Sequence, residues 1–244
     1  LVIGDLFFPW QVGTADLYTV EHFRAVKARL AKHGRFVQWL PCYQLSEDEF
    51  RSIARTMLEA FDQVTLWRGD FAAKRPLLAL VGEKTPNALD PLVLVEDARA
   101  LGPGEEVGLG RYPASLPFFF YVGNLTAGRE LLAGAALHTD DRPWLQWEAP
   151  WEQRRREAGE ATAFVGPRLL AFERRLQDAV PVFGDPILNV LSDGQRRAIQ
   201  AGTALRALSV AFAERDVEAQ RRALLDYTRL VPEAERPHPE HWVK

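Results

Sequence analysis

Several features that often reveal a protein's class are scarce in this sequence. One cysteine, Cys42, occurs in 244 residues, which excludes an internal disulfide framework and a thiolate metal cluster. No apolar run approaches the roughly 18 residues that a membrane-spanning helix needs. The net charge is only -3, and no stripe of Lys and Arg with interleaved aromatic residues is present, so nucleic acid is not an expected partner. A hydrophobic fraction of 47% predicts a globular, cytoplasmic protein with a sizeable core.

What the first part of the chain does contain is an alternation of short apolar runs and amphipathic stretches. Thr19 is a predicted helix N-cap with Gly34 at the end of that helix, and Ser46 with Glu49 forms a predicted capping box for the next helix. The apolar runs, which have the length of buried strands, lie at 1–3, 36–40, 64–67 and 76–81. This order predicts an α/β fold and the carboxyl-terminal half of an alternating sheet.

The second part of the chain has a different character. The segment 82–110 is punctuated by Pro and Gly with one short helix, 116–122 is a final strand or a loop anchor, and 128–136 is expected to be helical. Past Pro150 the pattern predicts helices at about 166–178, 193–214 and 217–230, of which the last two form an antiparallel hairpin. We therefore expect an α/β domain over 1–150 and an α-helical extension with a repeat-like helix pair over 151–244.

Asp5 is the candidate catalytic residue, because it directly follows the first predicted strand. Ligands of open α/β sheets bind at the carboxyl ends of the strands, where such a carboxylate would lie. The alternative is an ordinary Asp that caps a strand end or a turn. Trp10 follows in the same loop and is the aromatic residue best placed to wall a pocket there.

The stretch from VIGDLFFPWQVG to LPCYQLSEDEF resembles the carboxyl-terminal half of spermidine synthases, the polyamine aminopropyltransferases. The residues that carry the resemblance are Asp5, the Leu17-Tyr18-Thr19 element and Gln38, and the later TDDRP element at 139–143 is typical of the long bacterial spermidine synthase-like proteins. It implies a Rossmann-like fold of the S-adenosylmethionine-dependent methyltransferase type. It also implies decarboxylated S-adenosylmethionine as the co-substrate, a diamine acceptor, no tightly bound cofactor or metal, and a homo-oligomer.

The resemblance also implies roles for particular residues. Asp5 would take a proton from the attacking amine or orient it, and Gln38, Tyr18 and Trp10 would line the substrate pocket. A free alkylamine has a pKa near ~10 and is mostly protonated at neutral pH, so a carboxylate at this position has clear chemical value.

Two departures from the family pattern limit these expectations. The family has a second Asp three residues after the first, and this sequence has Phe8 there, which removes half of the negative charge that would attract a dication. The elements that bind the nucleoside would precede Leu1, together with any membrane region, so residues 1–244 alone are expected to be inactive.

Other interpretations of the sequence remain open. One is a different transferase, such as a methyltransferase, whose acceptor carries less positive charge. Another is a non-catalytic protein-binding module. Asp140 and Asp141 are either a second acidic site or a simple turn, Asp70 could add charge to the pocket, and a metal site at His238 and His241 is not expected.

Overall fold

A computed structural model of the protein describes residues 1–85, 90–100 and 115–233, without the side chains of 97–100. The described strands are β1 (Val2–Gly4), β2 (Arg35–Pro41), β3 (Gln63–Arg68), β4 (Leu77–Glu83) and β5 (Tyr121–Asn124). The described α-helices of the first half are α1 (Val20–Arg29), α2 (Glu47–Leu58), α3 (Pro91–Ala100) and α4 (Leu116–Phe119). Those of the second half are α5 (Trp144–Glu157), α6 (Gly166–Ala179), α7 (Pro186–Val190), α8 (Asp193–Glu214) and α9 (Val217–Leu230). The predicted α/β class is confirmed.

The five strands form one mixed sheet in the order β1-β2-β4-β3-β5. Strands β1 and β2 are parallel, with Gly4 opposite Gln38, and β2 and β4 are antiparallel. Because α1 connects β1 to β2, this pair is a strand–helix–strand crossover, and the carboxyl ends of both strands lie at the same edge of the sheet. Strand β1 is at one end of the sheet, and the side chains of Leu1 and Ile3 are largely exposed.

Local sequence signals set most helix starts. The Thr19 hydroxyl accepts a hydrogen bond from the His22 backbone N–H at 3.1 Å, and Ser46 and Glu49 form the predicted capping box of α2. The predicted helix end at Gly34 is wrong, since α1 ends at Arg29 with Leu30 as its C-cap. Gly34 instead closes a separate turn by donating its N–H to the carbonyl of Ala31 at 2.8 Å.

The segment between the sheet and the later helices also differs in detail from its prediction. The run at 116–122 divides into the single-turn helix α4 and the first residues of β5, so the predicted strand begins only at Tyr121. The segment 128–136 holds only one 3₁₀ turn, Arg129–Leu132, and Gly134 has a φ of +78° that an α-helix cannot contain.

The chain divides into two compact units. Unit 1 comprises Leu1–Trp67, Arg75–Asn87 and Gly123–Val165, and unit 2 comprises Arg68–Lys74, Ala88–Val122 and Gly166–Lys244. The division predicted at residue 150 stays a prediction. In the described part of the chain, no helix is long and apolar enough to cross a membrane.

Helix α8 organises unit 2. It packs on α4, α6 and α9, and Gly202 lies against α4 so closely that a Cβ at this position would be 2.0 Å from the carbonyl oxygen of Phe119. The predicted α8–α9 hairpin is present, although Leu224 and Leu225 are half exposed and Ala223 and Tyr227 provide the buried side of α9. The small side chain of Ala223 therefore lets α9 pack closely on α8.

Candidate functional site

The candidate site lies in unit 1, on the loop that follows β1. Gln38 in β2 is buried and donates its side-chain amide N–H groups to the carbonyl oxygens of Asp5 and Trp39, both at 3.0 Å. The parallel register brings this amide directly over Gly4, where a Cβ would be 2.3 Å from Gln38 Oε1. A side chain at position 4 would therefore have to displace the Gln38 amide. The structure thus brings the Gln38 amide to the backbone of Asp5, while a role for either residue in substrate binding stays a prediction.

The Asp5 carboxylate is exposed at the carboxyl end of β1. Its Oδ1 accepts a hydrogen bond from the backbone N–H of Leu6 at 2.7 Å. This local hydrogen bond fixes the direction of the carboxylate, as in the turns that Asp commonly forms after a strand. Since a carboxylate has several acceptor positions, one backbone donor leaves capacity for a bound ammonium group.

Tyr18 lies beneath the loop and is fully buried. Its hydroxyl donates a hydrogen bond to the carbonyl oxygen of Phe7 at 2.7 Å, and burial raises the pKa of the phenol well above its usual range. With its pKa raised in this way, the phenol stays protonated at neutral pH. Tyr18 therefore holds the loop in place through its hydroxyl.

The tip of the loop carries an aromatic pair. The rings of Phe8 and Trp10 are stacked with centroids 5.7 Å apart and planes 8° apart. Both residues are half-buried, and within the described part of the chain the buried indole N–H of Trp10 has no hydrogen-bond acceptor. The Phe8 carbonyl accepts from the Gln11 backbone N–H at 2.9 Å and from the Thr14 hydroxyl, which closes the loop on itself.

His138 also supports this region, although the sequence analysis assigned no role to it. Its Nε2 donates to the carbonyl oxygen of Ala15 at 2.9 Å, and its Nδ1 accepts from the Leu145 backbone N–H at 3.2 Å. Burial lowers the pKa of the imidazole, although the nearby carboxylates of Asp16 and Asp140 oppose this shift. A neutral His138 therefore ties the 3₁₀ turn Ala15–Tyr18, just beyond the loop, to the start of α5. The apolar residues on either side of the TDDRP element were the only sequence signal for a buried His.

The TDDRP element itself forms a turn. Thr139 and Arg142 exchange two backbone hydrogen bonds, at 3.2 and 3.1 Å, and the Asp140 N–H donates to a carboxylate oxygen of Glu21 at 3.1 Å. The side chains of Asp140 and Asp141 are exposed. This geometry is that of the turn alternative, since local backbone hydrogen bonds account for the conformation.

Asp70, the other acidic candidate, belongs to unit 2 and to a different set of contacts. Its Oδ1 accepts from the Ala72 N–H at 2.9 Å and lies 3.5 Å from the guanidinium of Arg206. Arg206 and Arg68 are both buried and share the buried carboxylate of Glu173. Asp70, which is only partly buried, therefore pairs with one member of a buried ionic cluster that holds the loop 68–74 against α6 and α8.

The remaining candidates add no further chemistry. Cys42 is buried. His238 and His241 lie outside the described residues. Among the residues that the structure describes, no group of three or more His, Cys, Asp or Glu side chains is arranged to hold a metal ion. The Asp5 loop thus combines an exposed charged group, a backbone held by hydrogen bonds and aromatic side chains.

No family model, curated protein or solved structure matches this chain.

Proposed function

We propose that this protein is a spermidine synthase-like aminopropyltransferase in which Asp5 binds and deprotonates the attacking amine. The observation that carries the proposal is the exposed Asp5 carboxylate at the carboxyl end of β1, on a loop whose backbone Gln38 and Tyr18 hold in place. Ligands of open α/β sheets bind at this edge. The mixed sheet with its parallel pair β1–β2 is compatible with the carboxyl-terminal half of a Rossmann-like sheet, the finer fold that the sequence resemblance implies.

The proposed reaction is a single displacement. An acceptor amine with a pKa near ~10 arrives mostly as an ammonium ion, and Asp5 attracts it and accepts one proton. The freed nitrogen lone pair forms a bond to the aminopropyl carbon next to the sulfonium of decarboxylated S-adenosylmethionine. The carbon–sulfur bond breaks, its electron pair stays on sulfur, and methylthioadenosine leaves. Because the sulfonium is already a good leaving group, the step needs no metal.

The other predicted site residues have different parts in this proposal. The amide hydrogens of Gln38 and the hydroxyl of Tyr18 are engaged by backbone carbonyls, so these residues position the loop that carries Asp5. Trp10 contributes a ring surface on that loop. Positioning of this kind is effective because a fixed nucleophile and a fixed base avoid the entropy loss of bringing them together during the reaction.

The acceptor, the cellular location and the oligomeric state that we propose are those that the resemblance to spermidine synthases implies. The acceptor in that family is a diamine, and we propose that the protein acts in the cytoplasm as a homo-oligomer. An aromatic residue at position 8 also suits a transferase whose acceptor carries less positive charge.

Isothermal titration of the full-length protein with methylthioadenosine, followed by amines, tests the proposal. We expect the nucleoside product to bind, an amine to bind in its presence, and Asp5→Asn to weaken the amine at least tenfold while leaving the nucleoside unaffected. Asp48→Asn, which neutralises an exposed Asp in the first turn of α2, is the matched control and should leave both affinities unchanged. Unchanged amine affinity in Asp5→Asn would remove Asp5 from the mechanism.

A second candidate function is a protein-binding module, which a groove in unit 2 favours. The groove has a volume of about 410 Å³ and lies along α6, α8 and α9. Its lining combines apolar residues with charged ones, namely Leu170, Ala207, Val210, Ala211 and Ala223 with Arg174, Glu214, Asp216, Arg222 and Asp226. If the titrations show that the protein binds neither methylthioadenosine nor amines, that result would favour the protein-binding function over the transferase.

A further inference from the structure

The loop after β1 carries a single negative charge. Asp5 is the only acidic or basic side chain among residues 1–15, and the position three residues later is Phe8. An ammonium ion that pairs with Asp5 therefore finds no second carboxylate on this loop.

The backbone of the loop is fixed at three carbonyl groups. Those of Asp5, Phe7 and Phe8 accept hydrogen bonds from Gln38, Tyr18 and Gln11 respectively, at 3.0, 2.7 and 2.9 Å. These bonds hold the backbone on both sides of Leu6, between Asp5 and the aromatic residue Phe8. The loop backbone is thus pre-organised, and the selectivity of the site follows from the side chains that the loop carries.

The aromatic pair at the tip favours an apolar neighbour for the bound amine. The Phe8 and Trp10 rings are nearly parallel with centroids 5.7 Å apart, and both side chains are half-buried, so together they form an aromatic surface on the loop. A second ammonium ion placed there would lose hydration for a cation–π contact worth about 0.5–2 kcal/mol. A hydrocarbon or aromatic group of the ligand would instead gain from burial at roughly 25 cal/mol per Å² without any loss of ionic hydration.

We propose that the acceptor of this site is an amine with one cationic centre and an aromatic or other apolar body, with Asp5 binding the ammonium group and Phe8 and Trp10 contacting the body. This inference rests on the proposed function, since it names the acceptor class of the same site. Phe8 is the residue that determines the preference, because three residues after Asp5 it gives the loop an apolar ring and no second charge.

The test compares 2-phenylethylamine with 1,4-diaminobutane in isothermal titrations of the full-length protein saturated with methylthioadenosine. We expect 2-phenylethylamine to bind at least tenfold more tightly. Phe8→Asp should reverse this order, because it places a second carboxylate on the loop. Phe8→Leu is the matched control that keeps an apolar side chain, and it should weaken 2-phenylethylamine several-fold without improving 1,4-diaminobutane.

The outcomes separate this inference from the function on which it rests. Equal or tighter binding of 1,4-diaminobutane to the unaltered protein, or no binding of either amine beside bound nucleoside, overturns the inference and leaves nucleoside binding intact. Failure of methylthioadenosine to bind overturns the proposed function itself. If Phe8→Asp does not fold, the titrations of the unaltered protein and of Phe8→Leu still test the inference. An unchanged 2-phenylethylamine affinity in Phe8→Leu would show that Phe8 does not determine the preference.

Discussion

Gln38 shows how one residue connects the strand pair to the site. Its amide group donates to two backbone carbonyls, one in its own strand and one in the Asp5 loop. Its Oε1 is buried against Gly4 and, in the described part of the chain, accepts no hydrogen bond. Only an uncharged side chain with two N–H donors satisfies both carbonyls in this position.

Replacing Gln38 tests this role. Gln38→Glu should lower the free energy of unfolding by about 2–4 kcal/mol at neutral pH, because a buried carboxylate would face two carbonyl oxygens instead of donating to them. Gln38→Leu should lower it less, since it removes the donors without adding charge. Urea unfolding curves give both values, and a Gln38→Glu variant as stable as Gln38→Leu would contradict the assignment of the amide as a donor.

At the scale of elements, α8 is the helix on which unit 2 depends. It has 22 residues, begins with a capping box at Ser192 and Gln195, and packs on three other helices. Its two glycines have opposite surroundings. Gly202 touches the backbone of α4, whereas a Cβ at Gly194 would have no neighbour nearer than 3.9 Å.

The same substitution at these two glycines should therefore have opposite effects. Gly202→Ala should destabilise the protein by about 1–3 kcal/mol, because the new methyl group overlaps the Phe119 carbonyl and forces α8 and α4 apart. Gly194→Ala should be neutral or stabilising by about a few tenths of a kcal/mol, since alanine loses less backbone entropy in a helix. Thermal or urea unfolding measures the difference. Similar effects at both sites would show that the α4–α8 contact adapts freely.

At the scale of the whole molecule, buried titratable groups determine how stability depends on pH. His138 has a pKa lowered from 6.5, chiefly by burial, and His22 is shifted in the same direction for the same reason. Below about pH 6.5 the unfolded chain binds protons at these residues that the folded chain does not bind. The contribution of these two histidines to stability should therefore be complete above pH 6.5 and decrease as the pH drops toward their lowered pKa values in the folded state.

Replacing His138 isolates its share of this pH dependence. In His138→Gln the amide nitrogen can still donate to the Ala15 carbonyl, but the side chain no longer titrates. Between pH 7.5 and 5.5 the unaltered protein should lose more unfolding free energy than the variant, with a difference in slope of at most about 1.4 kcal/mol per pH unit. Because His22 is present in both proteins, its contribution to the pH dependence cancels in the comparison. Equal slopes would mean that His138 can be protonated in the folded state.

The sequence predicted those parts of the fold that neighbouring residues decide. The Ser46–Glu49 capping box, the Thr19 cap and the four strands of the alternating region depend on short-range periodicity and on side chains within three residues of the helix start. The end of α1 and the single 3₁₀ turn at 129–132 were not predictable in this way, because contacts beyond the local window determine where a helix stops.

The candidate site likewise has features that the sequence predicts and features that only the folded chain shows. From the sequence alone came Asp5 at the end of a strand, its lone charge, and the expectation that Gln38 and Tyr18 lie near it. Only the tertiary structure decided that Gln38 and Tyr18 bind the loop backbone, that Phe8 stacks on Trp10, and that His138 supports the following turn. The physical reason is that sequence patterns specify which residues each segment offers, whereas a hydrogen bond between residues 33 or 123 positions apart exists only once the chain has folded.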